Sequence, residues 1–408
     1  MTLVAAPTRH VSLTRWQAPG GFEEGTHQGT EAVDGGLRLA APAGTLVYAD
    51  PFAEEATDGV TYEWGAWVSP AVETAFGATE VVPSWNASTP EDSWLELEAR
   101  AAIDGPGGRE WTPWMVLARW ADSDRQIHPT SVPGQGTPTV SVRTDVLGAR
   151  DEVRFAAHQL RVTLLRPVGS SASPSVRLVT SMASRVPATA PEEVSAGGAA
   201  WGLELRVPPY SQQLHRGQYV HWDRGGPSWC SPTSTSMLLA YHGRLPAPED
   251  YAWVEGHFPN RFVVQAARHV FDYAYGGAGN WAFNTAYAGR PGVQAFVTRL
   301  RSLAEAETFV AAGLPLGATV SFTEEMLTGA GYATEGHLLT IVGFTTEGDV
   351  ICNDPASHTL ASNDEVRVVF DRAELERVWL DASGGVVYVV HPDDVTLPAP
   401  ADPAEPSW

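Results

Sequence analysis

The chain has 408 residues and a formal net charge of −22, and all 26 of its basic residues are arginine. That balance leaves no basic face to hold nucleic acid or an anionic membrane, and it excludes Schiff-base lysines and the lysine of a phosphate-binding loop. Two cysteines cannot build a disulfide scaffold, and no stretch approaches the ~20 apolar residues of a spanning helix.

In chain order, the start from Met1 to His10 lacks the charged and apolar regions of a secretory signal. As written the chain reads as cytoplasmic; a leader ahead of this numbering would make it secreted. Residues 1–190 read as all-β. Trp94 to Ala101 and Leu160 to Leu164 alternate with period two, Val176 to Thr180 is a similar short run, and turn clusters such as Asp104-Gly105-Pro106-Gly107-Gly108 separate them. Short strands with regular turns point to a sandwich of the jelly-roll or Ig-like kind, an accessory domain. Trp16, Trp64, Trp67, Trp85, Trp94, Trp111, Trp114 and Trp120 fall in this half. Exposed, they would form a stacking platform for a glycan or cell-wall ligand; the commoner fate of Trp is the core.

Residues 191–200 close a Pro-, Ala- and Gly-rich stretch that reads as a linker. Residues 201–393 then mix helix and strand, an α+β layout. Cys230 precedes Ser231-Pro232, so it stands where a helix opens. Free N–H donors and the positive end of the helix dipole favour thiolate there, the nucleophilic form. Thr298 to Gly313 has helical spacing at Leu300, Leu303 and Val310, with a Gly suited to the C′ position. Leu316 to Phe322 and Gly336 to Phe344 read as buried strands, with His337 at the start of the second. Asp349 to Asn353 reads as the return strand, ending in Asp354-Pro355. Residues 394–408, Pro-rich and acidic, read as a flexible tail.

Cys, His and Asp in this order form the set that activates a thiol: His takes the proton and Asp holds the imidazole in one tautomer. If Glu347-Gly348 is a two-residue turn, Asp354 falls opposite Ile341, four residues from His337. The even step puts both side chains on one side, but four residues span ~13 Å of flat ladder. A bulge or strong twist must close that gap. Each residue also has an ordinary reading: a strand-start His as hydrogen-bonded structure, Asn-Asp-Pro as a turn, a lone Cys as an inert core residue. Cys352, within an apolar strand, takes the inert reading. The three motifs together, in order and in one domain, favour chemistry. His215, His221 and His242 have no metal-ligand spacing, and Gly276 to Gly279 lacks the Lys of a phosphate cradle. No metal or cofactor is expected. Trp229 either lines a pocket or packs under the helix.

Val207-Pro208-Pro209-Tyr210-Ser211-Gln212, Trp229-Cys230-Ser231-Pro232-Thr233-Ser234, Gly336-His337 and Asn353-Asp354-Pro355 together resemble the double-glycine-leader-peptidase-like cysteine peptidases. These belong to the papain-like superfamily and are found mainly in bacteria. The resemblance covers the second half of the chain and implies Cys230 as nucleophile, His337 as base and Asp354 as its orienter. It also implies a Gln upstream as oxyanion donor beside the Cys backbone N–H. Gln212 follows the Pro-Tyr-Ser run directly and is favoured over Gln213. The usual Cys-Gly-Pro is Cys-Ser-Pro here, and an insertion over residues 213–228 lengthens the Gln-to-Cys spacing. The implied substrate is a peptide or protein, in cell-wall peptides or a leader sequence. Two functions stand: a cysteine peptidase with a β-sandwich accessory domain, or a catalytically silent peptidase-like protein that binds a glycan or protein through its sandwich.

Overall fold

The structure, a computed structural model, describes residues 8–54 and 58–408. Residues 1–7, part of the segment read for a leader, lie outside the described residues. The described residues form two compact units, one within Leu13–Arg185 with His269–Arg290, the other of residues 8–12, Val186–Arg268 and Pro291–Trp408.

The first unit is β-rich. Among the described residues it holds a seven-stranded and an eight-stranded sheet. Period-two patterning builds them: in Phe155–Pro167 the side chains of Leu160, Val162 and Leu164 are buried, and Gln159, Arg161 and Thr163 between them are more accessible. The accessible row is a ladder of charge. Arg161 forks onto Glu98 of Trp94–Gly105, its cross-strand partner, and Arg119 meets Glu96 at 2.8 Å. On the inner side, Trp16 meets Trp67 edge-on at 5.5 Å and Trp85 meets Trp120 at 6.1 Å, each pair joining the two sheets. Trp94 is buried with them. Most of the tryptophans are therefore core. Trp64, Trp111 and Trp114 are half-buried, and the Arg100 guanidinium already covers Trp111 and Trp114 at 4.6 and 4.5 Å.

One core residue ties this unit to pH. His158 is fully buried, its Nε2 hydrogen-bonded to Ser181 Oγ of the facing sheet at 2.5 Å. Burial pushes its pKa down to about 4, so the ring is neutral in the fold and takes a proton more readily once unfolded. Its contribution is intact above the unfolded value near 6.5 and is lost as pH falls from there toward 4. The loss amounts to about 3 kcal/mol from this group. His158→Asn, which keeps a partner for Ser181, is expected to flatten the acid limb of a stability–pH curve by that order. An unchanged limb would remove His158 as its cause.

Residues 269–290 fall inside the range expected for the α+β domain, yet they pack as part of the β unit. Helix Trp281–Ala288 is capped by Asn280, whose side chain accepts the Phe283 N–H. Asp145 accepts the Trp281 N–H at 2.8 Å, and Phe283 meets Trp85 edge-on at 6.0 Å. Asp272, fully buried, accepts from the Ser131 N–H and the Asn280 amide, each at 2.9 Å.

The second unit is α+β. Its six-stranded antiparallel sheet runs Val293–Arg299, Val386–Pro392, Leu316–Phe322, Thr334–Phe344, Val350–Asn353, Arg367–Phe370. Helix Cys230–Tyr241 is tied to it by Ser234 Oγ donating to Leu338 O at 3.1 Å and by a 2.9 Å bond between Ser231 Oγ and Tyr388 Oη. The helical spacing read from Thr298 onward starts later than expected. Thr298 and Arg299 are strand residues paired with Val387 and Val386, and the helix runs Leu303–Ala311 with Gly313 at φ +80° beyond it.

The segments read as a linker and as a flexible tail both hold defined contacts. The backbone N–H groups of Gly198 and Ala199 both donate to Glu307 Oε2 at 2.7 Å, and Arg372 holds the other carboxylate oxygen at 2.7 Å. A buried carboxylate takes the segment as its hydrogen-bond shell. At the other end, Arg301 donates to the Ser407 hydroxyl at 3.0 Å and to Glu405 O at 2.5 Å. Trp408 packs on Phe309 at 4.8 Å. Composition marks residues 394–408 as unable to form a core, but they need only cover one already formed.

Candidate active site

Helix Cys230–Tyr241 begins at the cysteine, after the turn Gly226–Ser228. Pro232 occupies the first turn, where a missing N–H costs nothing. Cys230 is unpaired and partly accessible; Cys352, also unpaired, is fully buried, and that burial with the nearby Asp354 charge pushes its thiol well up. Only one sulfur is thus available to a reactant in the folded chain. Trp229 is buried too, its Nε1–H donating to Trp222 O at 2.8 Å, so it packs under the helix instead of lining a pocket.

His337 lies on Thr334–Phe344, one residue before Leu338, the carbonyl of which receives the Ser234 bond. Its Nε2 meets Asp354 Oδ1 at 2.8 Å, and Cys230 lies near enough for its charge to act on the ring. With Nε2 taken, the nitrogen left for sulfur is Nδ1. Asp354 closes the gap that a flat ladder leaves open, through two local departures. Phe344 pairs with Val350, and Thr345 N–H donates to Asp349 O, so the loop is three residues long and not two. A bulge between Ile341 and Gly343 adds a second shift, pairing Thr340 with Asn353. Asp354 therefore lies opposite Leu339. The offset from His337 falls to two residues, roughly 7 Å, and the shared facing is kept.

The electrostatics follow from this packing. Burial would lower the pKa of His337, but the charges on Asp354 and Cys230 outweigh it and push the value up to about 10. That shift favours the protonated ring, with the Asp354 carboxylate against its Nε2.

Gln212 opens the short helix Gln212–His215. Its backbone N–H donates to Pro355 O at 3.0 Å and its amide Nε2–H to Pro227 O at 2.5 Å. It thus ties the turn before Cys230 to the residue after Asp354. Gln213 is turned to another task, its Oε1 accepting from Arg216 at 2.9 Å. The insertion around 213–228 is an aromatic knot in which Tyr219 stacks on Trp222 at 5.6 Å and Trp253 stands edge-on to both. His215 is buried and His242 half-buried, and desolvation pushes both pKa values down to about 4. No cluster of three metal-ligating side chains occurs among the described residues.

Sequence reasoning missed Tyr332. Its hydroxyl donates to Asp354 Oδ2 at 2.8 Å and its ring stands edge-on to His337 at 5.6 Å. It belongs to no motif, and a Tyr five residues before a His carries no signal of its own.

An α+β domain with a helix-start cysteine facing a strand-borne His–Asp pair defines the class, and comparison names the family. Residues 204–387 match the Peptidase_C39 like family and residues 12–184 the peptidase C39 N-terminal domain. The C-terminal half of this chain therefore belongs to the C39-like peptidase family, behind a C39 N-terminal domain. No curated protein matches the chain. Among solved structures, one described as a C39-like peptidase from Bacillus anthracis is 18% identical. The match covers 46% of this chain and 97% of that one, with a TM-score of 0.29. The CBM22-1–GH10 modules of Clostridium thermocellum xylanase 10B, complexed with xylohexaose, are 15% identical over 41% of this chain and 29% of that one, with a TM-score of 0.15.

Proposed function

We propose that this protein is a cysteine peptidase in which Cys230, His337 and Asp354 hydrolyse a peptide bond. The observation that carries the reading is His337, held by Asp354 at 2.8 Å and near enough to Cys230 for the charge on that residue to act on the ring. The Cys230 sulfur attacks the carbonyl carbon as thiolate, and the C=O electron pair moves onto oxygen. Collapse of that oxyanion breaks the C–N bond, and His337 gives its proton to the departing amine. Water, deprotonated by the now neutral imidazole, then cleaves the thioester, and the thiolate–imidazolium pair is restored. Asp354 keeps the ring in one orientation and balances its charge throughout.

The oxyanion falls to the Cys230 backbone N–H, unpaired within its helix because it is the first residue, and to Gln212. An amide nitrogen carries two hydrogens, and the Pro227 bond uses one. Gln212→Ala is expected to lower kcat by about 10²–10³ with little change in KM, because the donor acts mainly on charge that develops in the transition state. Gln213→Ala should leave kcat nearly intact. Steady-state kinetics on a peptide substrate decides, and the reverse pattern would move the role to Gln213. The reading as a whole is tested by Cys230→Ser, which should leave the fold intact and no turnover. Undiminished turnover would end it.

A further inference from the structure

Asp354 must do more than be near His337: it must keep one oxygen aimed at Nε2 from a fully buried position. Oδ1 accepts from His337 Nε2 and from the Ala356 N–H at 2.9 Å. Oδ2 accepts from the Tyr332 hydroxyl at 2.8 Å. The tyrosine is itself held. Its ring packs on Phe322 at 5.2 Å and stands edge-on to the imidazole.

The loop that delivers it is fastened at three places. Leu327 and Ala330 are buried, the Thr328 N–H and hydroxyl donate to Glu374 at 2.7 and 3.0 Å, and Ala330 O accepts from the His358 N–H at 3.2 Å. Gly331 lies at φ +76°, and a Cβ there would stand 2.6 Å from His358 Nδ1. The loop passes that close only because residue 331 has no side chain.

We infer that Tyr332 is a positioning residue of the reaction: its hydroxyl, by holding Asp354 Oδ2, fixes the carboxylate and through it the His337 ring that faces Cys230. The inference rests on the reading of Cys230 and His337 as the reacting pair. Burial followed by the Asp354 charge pushes the Tyr332 phenol well above its ordinary range, so it stays a donor at every working pH. A donor on Oδ2 also draws charge from the carboxylate and favours keeping the proton on the imidazole instead of sharing it with Asp354.

The test needs no substrate. The rate of iodoacetamide alkylation at Cys230 is followed from about pH 5 to 9 in the full chain, with the adduct mapped. The proteins compared are wild type, Tyr332→Phe, Asp354→Asn and the double variant. Tyr332→Phe keeps the ring packing and is expected to slow alkylation near neutral pH about tenfold, the scale of one hydrogen bond to a charged group, and to displace the pH profile. In the Asp354→Asn background the same change should cost less than about twofold, because the tyrosine acts through the carboxylate. Should the Phe variant fold poorly, Tyr332→Met makes the same comparison. A Phe profile that superposes on wild type overturns the inference alone, and so does a tenfold loss that persists in Asp354→Asn. A wild-type Cys230 no faster than a simple thiol overturns the peptidase reading and the inference with it.

Discussion

His337→Ala is expected to remove turnover, a loss of ~10³–10⁴-fold or more, and to slow alkylation of Cys230 while leaving Cys352 unlabelled. In the proposed mechanism the imidazolium balances negative charge on the sulfur and is also the acid that releases the amine. Without it the substrate meets a plain thiol. Asp354→Asn is the milder variant. The Ala356 and Tyr332 bonds show a side chain enclosed on every side, so an isosteric amide should fit. The neutral amide holds the ring less firmly and no longer offsets its charge, and a fall in turnover of about 10² is expected. Both proteins should melt within a few degrees of wild type. The assignment is lost if iodoacetamide modifies Cys352 in preference to Cys230 in the native chain, or if His337→Ala retains substantial activity.

The second large effect concerns where the chain can be cut. From the sequence, a fragment beginning near Trp201 is expected to fold alone. The structure argues otherwise, because such a fragment still carries residues 269–290 and has lost what they pack on. Phe283 and Ala282 are buried within the β unit, and exposing one Phe costs about 1.5–3 kcal/mol. Asp272 would lose the Ser131 N–H and helix Trp281–Ala288 the Asp145 cap. The 201–408 fragment is expected to show no cooperative melt or to aggregate, while the full chain melts cooperatively. A sharp two-state transition from the fragment would show that residues 269–290 do not need the β unit.

What the sequence made legible was local chemistry with a direction. A Pro two residues after Cys230 marks a helix start, and alternation in Leu160 to Leu164 marks a strand with one buried face. The shared facing of His337 and Asp354 survives any even change of register. Their separation was not legible, because it depends on turn length and on a bulge. Gly348 looks like the second residue of a two-residue turn, yet at φ +96° it closes a three-residue one, a common alternative for a loop glycine. Nothing in Ile341-Val342-Gly343 announces that two residues there oppose one. The ordering of residues 191–200 and 394–408 was hidden for a different reason. Their partners, Glu307 and Arg301, lie about a hundred residues away, and composition reports only what a segment can bury by itself. Likewise, no short-range pattern tells residues 269–290 to join the β unit.

Because one of two sulfurs is sealed in the sheet and the other opens to solvent, the protein carries its own counter of integrity. A colorimetric thiol reagent should titrate a single equivalent in the native state and two once the chain unfolds. The second equivalent would be released only when the Val350–Asn353 strand leaves its neighbours. Its rate of appearance would therefore time the opening of that sheet without any dye, tag or substituted residue.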